Sequence, residues 1–134
     1  MSLITLTSDF GTRDPYVAQL KAALFRHGPS DLRVVDLSHE LPVQDVREAA
    51  LFVADALPQF PGGTIHLVIV DPGVGSPRRP LAVRCETQLC VGPDNGVLSL
   101  LYGAKLDAVA IEPERVGVTQ LSATFHGRDL FAPA

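Results

Sequence analysis

The segment Thr64-Ile65-His66-Leu67-Val68-Ile69-Val70 is apolar at almost every position, rich in β-branched residues, and ends abruptly in Asp71-Pro72-Gly73. Such a run has no polar face to offer water. It reads as a strand covered on both sides, as in a parallel sheet with helices on each face. The Pro-Gly turn stops it. Asp71 therefore stands at the carboxyl end of a buried strand, where open parallel sheets bind their ligands. Arg78 follows in the same loop.

The preceding residues supply the rest of such a sheet. Leu3 to Ser8 and Leu32 to Leu37 are predicted strands. Between them a helix is predicted from about Pro15 to Arg26, with Asp14 as N-cap and Gly28-Pro29 as the stop. A second helix is predicted from about Asp45 to Leu57, where Val46, Ala49, Ala50, Val53 and Leu57 form an apolar stripe. This βαβαβ order predicts parallel strands joined by right-handed crossovers in an α/β fold. Further on, Pro80 to Cys85 and Gln88 to Val91 read as a hairpin across Glu86-Thr87. A turn follows at Gly92 to Gly96, then a short helix from Val97 to Tyr102 and a last strand from Leu106 to Ile111. Glu112 to Ala123 is weakly patterned, and Thr124 to Ala134 reads as the approach to another helix.

A chain of 134 residues with 46% hydrophobic and 19% charged residues suits one globular domain. The net charge of −4, with no basic run, argues against nucleic acid as a partner. No apolar stretch has membrane-spanning length, and the first residues lack a cationic signal-peptide start, so a cytoplasmic location is expected. Cys85 and Cys90 read as small apolar strand residues, and two cysteines alone make no zinc site.

Polar residues gather where the strands should end: Ser8-Asp9 after the first, Asp36 and His39 after the second, Asp71 after the third, and Asp94-Asn95 in the later turn. Each has a plain structural reading as well. Asp9 could cap a turn, Asp36 could be a solvated strand end, His39 a turn histidine, and Asp94-Asn95-Gly96 is a turn signature in itself. His126 lies in a glycine-flanked loop, whereas His27 and His66 look structural. Two chemistries fit these residue types. One is a metal-assisted hydrolase using Asp9, Asp36, His39 and Asp94 as ligands. The other is metal-free, with an Asp–Arg–His network handling water. No His-x-x-x-His spacing, P-loop or Gly-x-Gly-x-x-Gly motif is present.

Five segments taken together carry a resemblance. They are Thr7-Ser8-Asp9-Phe10-Gly11-Thr12-Arg13-Asp14-Pro15-Tyr16-Val17, Val35-Asp36-Leu37-Ser38-His39-Glu40-Leu41-Pro42 with Gln44-Asp45-Val46, Val70-Asp71-Pro72-Gly73-Val74-Gly75, Gly92-Pro93-Asp94-Asn95-Gly96-Val97-Leu98, and Phe125-His126-Gly127-Arg128-Asp129. In this order they resemble the S-adenosylmethionine hydroxide adenosyltransferase family, the adenosine-forming SAM hydrolases, which are related to the fluorinase and chlorinase. The resemblance spans nearly the whole chain. With the element order, it implies a Rossmann-like three-layer sandwich with a mostly parallel central sheet.

The resemblance also implies an activity: water or hydroxide attacks C5′ of S-adenosyl-L-methionine and releases adenosine and L-methionine, with no cofactor. The family's Asp–Arg–His triad falls on Asp71, Arg78 and His126, and Arg79 is the neighbour not chosen. Its ribose-binding aspartate falls on Asp9, and Asp94-Asn95 matches a motif near the pocket. The halogenases replace the triad aspartate and histidine and carry an extra loop. Keeping Asp71 and His126, with no room for that loop between Val83 and Gly92, favours water over halide. Family members continue into a C-terminal β-barrel domain and bind substrate between subunits of a homotrimer. The chain is thus expected to be the N-terminal domain, with half of the pocket. A non-catalytic SAM- or nucleoside-binding module is the alternative from another class.

Overall fold

The structure, a computed structural model, describes residues 1–101 and 107–134. Its regular elements are β1 (Leu3–Ser8), α1 (Tyr16–His27), β2 (Arg33–Ser38), α2 (Val46–Ala56), β3 (Ile65–Ile69), β4 (Pro80–Cys85), β5 (Gln88–Pro93) and β6 (Asp107–Ala110). A single turn of π-helix, Gly127–Phe131, follows near the end.

Among the described residues, six strands form one sheet in the order β2-β1-β3-β5-β4-β6. β1 pairs in parallel with β2 and β3, and β3 pairs in parallel with β5. β4 runs antiparallel to both β5 and β6. The expected parallel core and the β4–β5 hairpin are both present, with boundaries within one or two residues of those read from sequence. β5 runs two residues further than expected, to Pro93, because β4 pairs with it as far as Pro80. Gly92 lies so close to β3 that a Cβ there would sit 2.7 Å from the Val68 carbonyl oxygen.

The unbroken apolar run is explained by the two layers that cover β3. Leu67 and Ile69 face α1, packing with Leu20, Ala23 and Leu24. Val68 and Val70 face the other way, onto Ala49, Val53 and Leu57 at and after α2. Alternation of period two is thus present but invisible in the sequence, since both faces are apolar. Leu20 and Leu57 are each 1% exposed. Truncating either to alanine is expected to cost about 2–5 kcal/mol.

Two local readings need correction. Asp14 does not cap α1: Pro15 occupies the cap position with no side-chain hydrogen bond, and the helix starts at Tyr16. Pro15 still serves the turn through its carbonyl, which accepts from Gln19 N at 2.9 Å. Asp45 does cap α2, accepting from Glu48 N at 2.9 Å. The expected helix from Val97 is instead a series of turns as far as Leu100, and its last residue, Tyr102, lies outside the described residues. Gly96, at φ +94°, and Asn95, whose Oδ1 accepts from Val97 N, set up turns that bury Val97 and Leu98. The start of the last strand at Leu106 also lies outside the described residues; β6 begins at Asp107. Cys85 and Cys90 are free thiols. Among the described residues no helix is long and apolar enough to cross a membrane.

Candidate active site

β3 delivers Asp71 to its carboxyl end, and the following loop folds straight back toward it. Val74 N donates to Asp71 O at 3.2 Å and Ser76 N to Gly73 O at 2.9 Å. Gly75 is left-handed at φ +79°, and a Cβ there would sit 2.8 Å from the Ala123 carbonyl oxygen. The loop therefore accepts only glycine at this position, both for its backbone angle and for its contact with the segment leading to His126.

The return places Arg78 on Asp71. Arg78 Nε donates to both carboxylate oxygens at 2.9 Å, and Nη2 donates to Oδ2 as well. Nη2 also lies 2.9 Å from His126 Nδ1. The Arg78 and Asp71 side chains are 9% and 5% exposed, and His126 is 8% exposed. His126 stands immediately before the π-turn, whose Phe131 ring lies 5.6 Å from the guanidinium carbon. A guanidinium only donates, so Nδ1 of His126 accepts, and the neutral ring carries its proton on Nε2. Asp71, Arg78 and His126 thus form one continuous hydrogen-bonded line. A buried ion pair of this kind is costly to break on one side only.

Asp9 follows β1 and takes Gln44 N on Oδ2 at 2.7 Å. Gln44 is left-handed at φ +62°, a strained state for a residue with a side chain. Asp9 and Asp71 line one cavity of about 440 Å³, together with Phe10, Tyr16, Val43 and Phe125. Tyr16 packs edge-on to Phe10 with ring centroids 6.4 Å apart, and lies 5.3 Å from Phe125. Sequence reasoning missed this aromatic wall, because Phe10, Tyr16 and Phe125 meet only through the fold. Arg78 and His126 do not line the cavity. They support Asp71 from within the protein.

The adjacent arginines part company. Arg78 turns inward, whereas Arg79 is 70% exposed and pairs with Asp94 at 2.7 Å. Asn95 commits both ends of its amide to backbone: Nδ2 donates to Val70 O at 2.8 Å, and Oδ1 accepts from Val97 N at 3.0 Å. Neither Asp94 nor Asn95 lines the cavity shared by Asp9 and Asp71. Asn95 instead fixes the carbonyl of the residue before Asp71.

The four-ligand metal reading does not assemble. Asp36 takes Lys21 Nζ at 2.5 Å, and His39 Nε2 lies 3.1 Å from its other oxygen. Partial burial pushes the Asp36 carboxyl up, but the Lys21 hydrogen bond and the nearby His39 ring outweigh it and hold the group below its usual range. His39 Nδ1 is 2.6 Å from Ser8 Oγ, and Asp94 belongs to Arg79. Among the described residues no three His, Cys, Asp or Glu side chains converge as metal donors. The turn reading of His39 is the one that fits. His66 is fully buried, as its structural reading implies, with Nδ1 2.7 Å from Thr5 Oγ1; burial pushes its pKa below the usual histidine value.

Residues 4–134 match the model of the SAM hydroxide adenosyltransferase N-terminal domain. The chain is 46% identical to an (R)-S-adenosyl-L-methionine hydrolase of Thermus thermophilus, over all of this chain and 55% of that protein. It is 24% identical to a fluorinase of an Actinoplanes species, over 97% of this chain and 52% of the other. Among solved structures, an uncharacterized conserved protein from Thermotoga maritima superposes with a TM-score of 0.89 at 37% identity, covering 97% of this chain and 51% of that one. The chain spans about half the length of the curated relatives it matches.

Proposed function

The chain belongs to the SAM hydroxide adenosyltransferase family, and from that premise we propose that the protein hydrolyses S-adenosyl-L-methionine to adenosine and L-methionine. The observation that carries this reading is the Asp71–Arg78–His126 line, whose carboxylate end reaches the cavity. Identity of 46% to a named hydrolase, against 24% to a fluorinase, supports water rather than halide as the nucleophile.

In this reading the oxygen of water bonds to C5′ as the C5′–S bond breaks. The electron pair goes to sulfur, and L-methionine leaves as a neutral thioether. No general acid is needed at the leaving group. The water must be aligned and must lose a proton. Arg78 is already committed to both its neighbours and has the role of fixing them. His126, with Nδ1 occupied by Arg78, offers only Nε2–H as a donor. Asp71 is the member with a spare lone pair on the cavity side, and it orients the water and receives its proton. Asp9, with Oδ2 taken by Gln44, has Oδ1 available for a ribose hydroxyl. Of the pair expected near the pocket, Asp94 is taken up by Arg79, while Asn95 acts through the backbone, holding Val70 and so the position of Asp71. The same reading carries a pocket completed by the C-terminal β-barrel domain of a neighbouring subunit, a homotrimeric assembly and a cytoplasmic location.

Incubating a full-length protein with each sulfonium epimer of S-adenosyl-L-methionine tests it. Adenosine and L-methionine are expected, with solvent oxygen at the 5′-hydroxyl. A halogenated nucleoside, or no product from either epimer, would overturn it. Asp71→Ala and His126→Ala proteins should lose at least about a hundredfold in turnover; unchanged turnover would remove the triad roles. The half-length match motivates a second reading, a nucleoside-binding module without catalysis. Calorimetric binding with no product would support it.

A further inference from the structure

The loops that leave β1 and β2 are laced together at four points. Ser8 Oγ lies 2.6 Å from His39 Nδ1, and Gly11 N donates to His39 O at 2.6 Å. Thr12 Oγ1 donates to Glu40 Oε1 at 3.0 Å, and Gln44 N donates to Asp9 Oδ2 at 2.7 Å. Only the first link is deep: Ser8 is 0% and His39 5% exposed. The β1–β2 register slips here, with Leu6 opposite Asp36 but Thr7 opposite Ser38. That extra residue bends the end of β2 and re-aims the loop beyond it.

The His39 ring makes one good hydrogen bond, to Ser8. Its Nε2 stands 3.1 Å from Asp36 Oδ1 without a linear hydrogen-bond geometry, and Asp36 is in turn held by Lys21 from α1. Burying an imidazole whose nitrogens are not both hydrogen-bonded is costly. In return the ring fixes Ser8, and Ser8 Oγ also accepts Phe10 N at 3.3 Å. The residue between them is Asp9.

We infer that His39 is a positioning residue for Asp9. Through Ser8 and through its own carbonyl it fixes residues 9–11 from both sides. With Gln44 occupying one carboxylate oxygen, the other is left for a ligand in the cavity that Asp9 lines. The ligand group such an oxygen takes is a hydroxyl of a vicinal diol, as on a ribose; this last step rests on the substrate reading above.

The test separates the two ring nitrogens. In His39→Asn the amide reaches the place of Nδ1 and can bond Ser8. In His39→Gln it reaches the place of Nε2 and cannot. Hydrogen exchange of the Gln44 amide on this chain reads the Asp9 contact without any ligand. His39→Ala and Ser8→Ala should each speed that exchange by about tenfold, the net worth of one hydrogen bond. His39→Asn should restore it and His39→Gln should not. In a full-length protein that turns over S-adenosyl-L-methionine, the same variants should raise KM by a similar factor with little change in kcat, with the same pattern of rescue. Unchanged Gln44 exchange in folded Ser8→Ala protein, or equal behaviour of His39→Asn and His39→Gln, would overturn the assignment. If wild-type full-length protein gives no adenosine, the substrate reading fails while the exchange series still decides the role of His39.

Discussion

Arg78 Nη2 lies 2.9 Å from His126 Nδ1, across 48 residues of sequence. The same guanidinium holds both oxygens of Asp71. One planar group therefore sets the tautomer of a histidine and the orientation of a carboxylate at once. A point charge could not do both.

Replacing Arg78 by lysine tests this directly. A single ammonium can keep Asp71 or reach toward His126, but it lacks the fork that joins them. The Arg78→Lys form of a full-length protein is expected to lose about 10²–10³ in kcat/KM, the scale of removing one preorganised donor. Steady-state kinetics beside a urea melt separates lost alignment from lost stability. Kinetics within about twofold of wild type would count against the shared-donor role, whose loss should be far larger.

His66 predicts a pH dependence of folding. Its folded pKa is pushed below the ordinary value of 6.5 by burial. The unfolded chain therefore takes up this proton first as pH falls. The stability associated with a neutral His66 is present in full above 6.5 and is lost progressively as pH drops from there through the lower folded value. Urea midpoints of the wild type should decline between neutral and mildly acidic pH, and His66→Asn should flatten that slope even if its midpoint is lower throughout.

Gly75→Ala should loosen the site without touching any of its polar groups. The added Cβ would stand 2.8 Å from the Ala123 carbonyl oxygen, on a backbone at φ +79°. Strain of about 1–3 kcal/mol is expected. Its relief would push the loop and the His126 segment apart, so thermal stability and turnover should fall together. Gly96→Ala, left-handed with open space around its Cβ position, should cost stability through φ alone.

The parallel core is legible in the sequence because β3 is apolar on both faces and stops at Pro72-Gly73, a pattern that few other folds require. Asp71 is legible for the same reason. His126 is different: its glycine-flanked loop sets it apart from His27 and His66, but only the five-segment resemblance pairs it with Arg78. The metal alternative misreads the Asp36–His39–Ser8 line, since carboxylates and histidines at strand ends look alike whether they bind a cation or one another. Lys21, which decides the matter for Asp36, sits on α1, 15 residues away. Asp14 misleads because a good cap residue gives no advantage when Pro15 takes the cap position. The turns after Gly96 resemble a helix in sequence because buried Val97 and Leu98 mimic an apolar helical face.

The separation of Arg78 from His126 along the chain has a consequence in time. Asp71 and Arg78 meet within one loop, and all the strands that hold them lie before residue 111. His126 comes into place only when the π-turn seats Phe131 beside Leu20 and Leu24 under α1. During synthesis the chain emerges from its amino end, so the sheet can close before that turn exists. A nascent chain would then carry a finished scaffold and an idle carboxylate. Docking of the π-turn then completes the hydrogen-bonded line from Asp71 through Arg78 to His126, so that line forms only when this domain has finished folding.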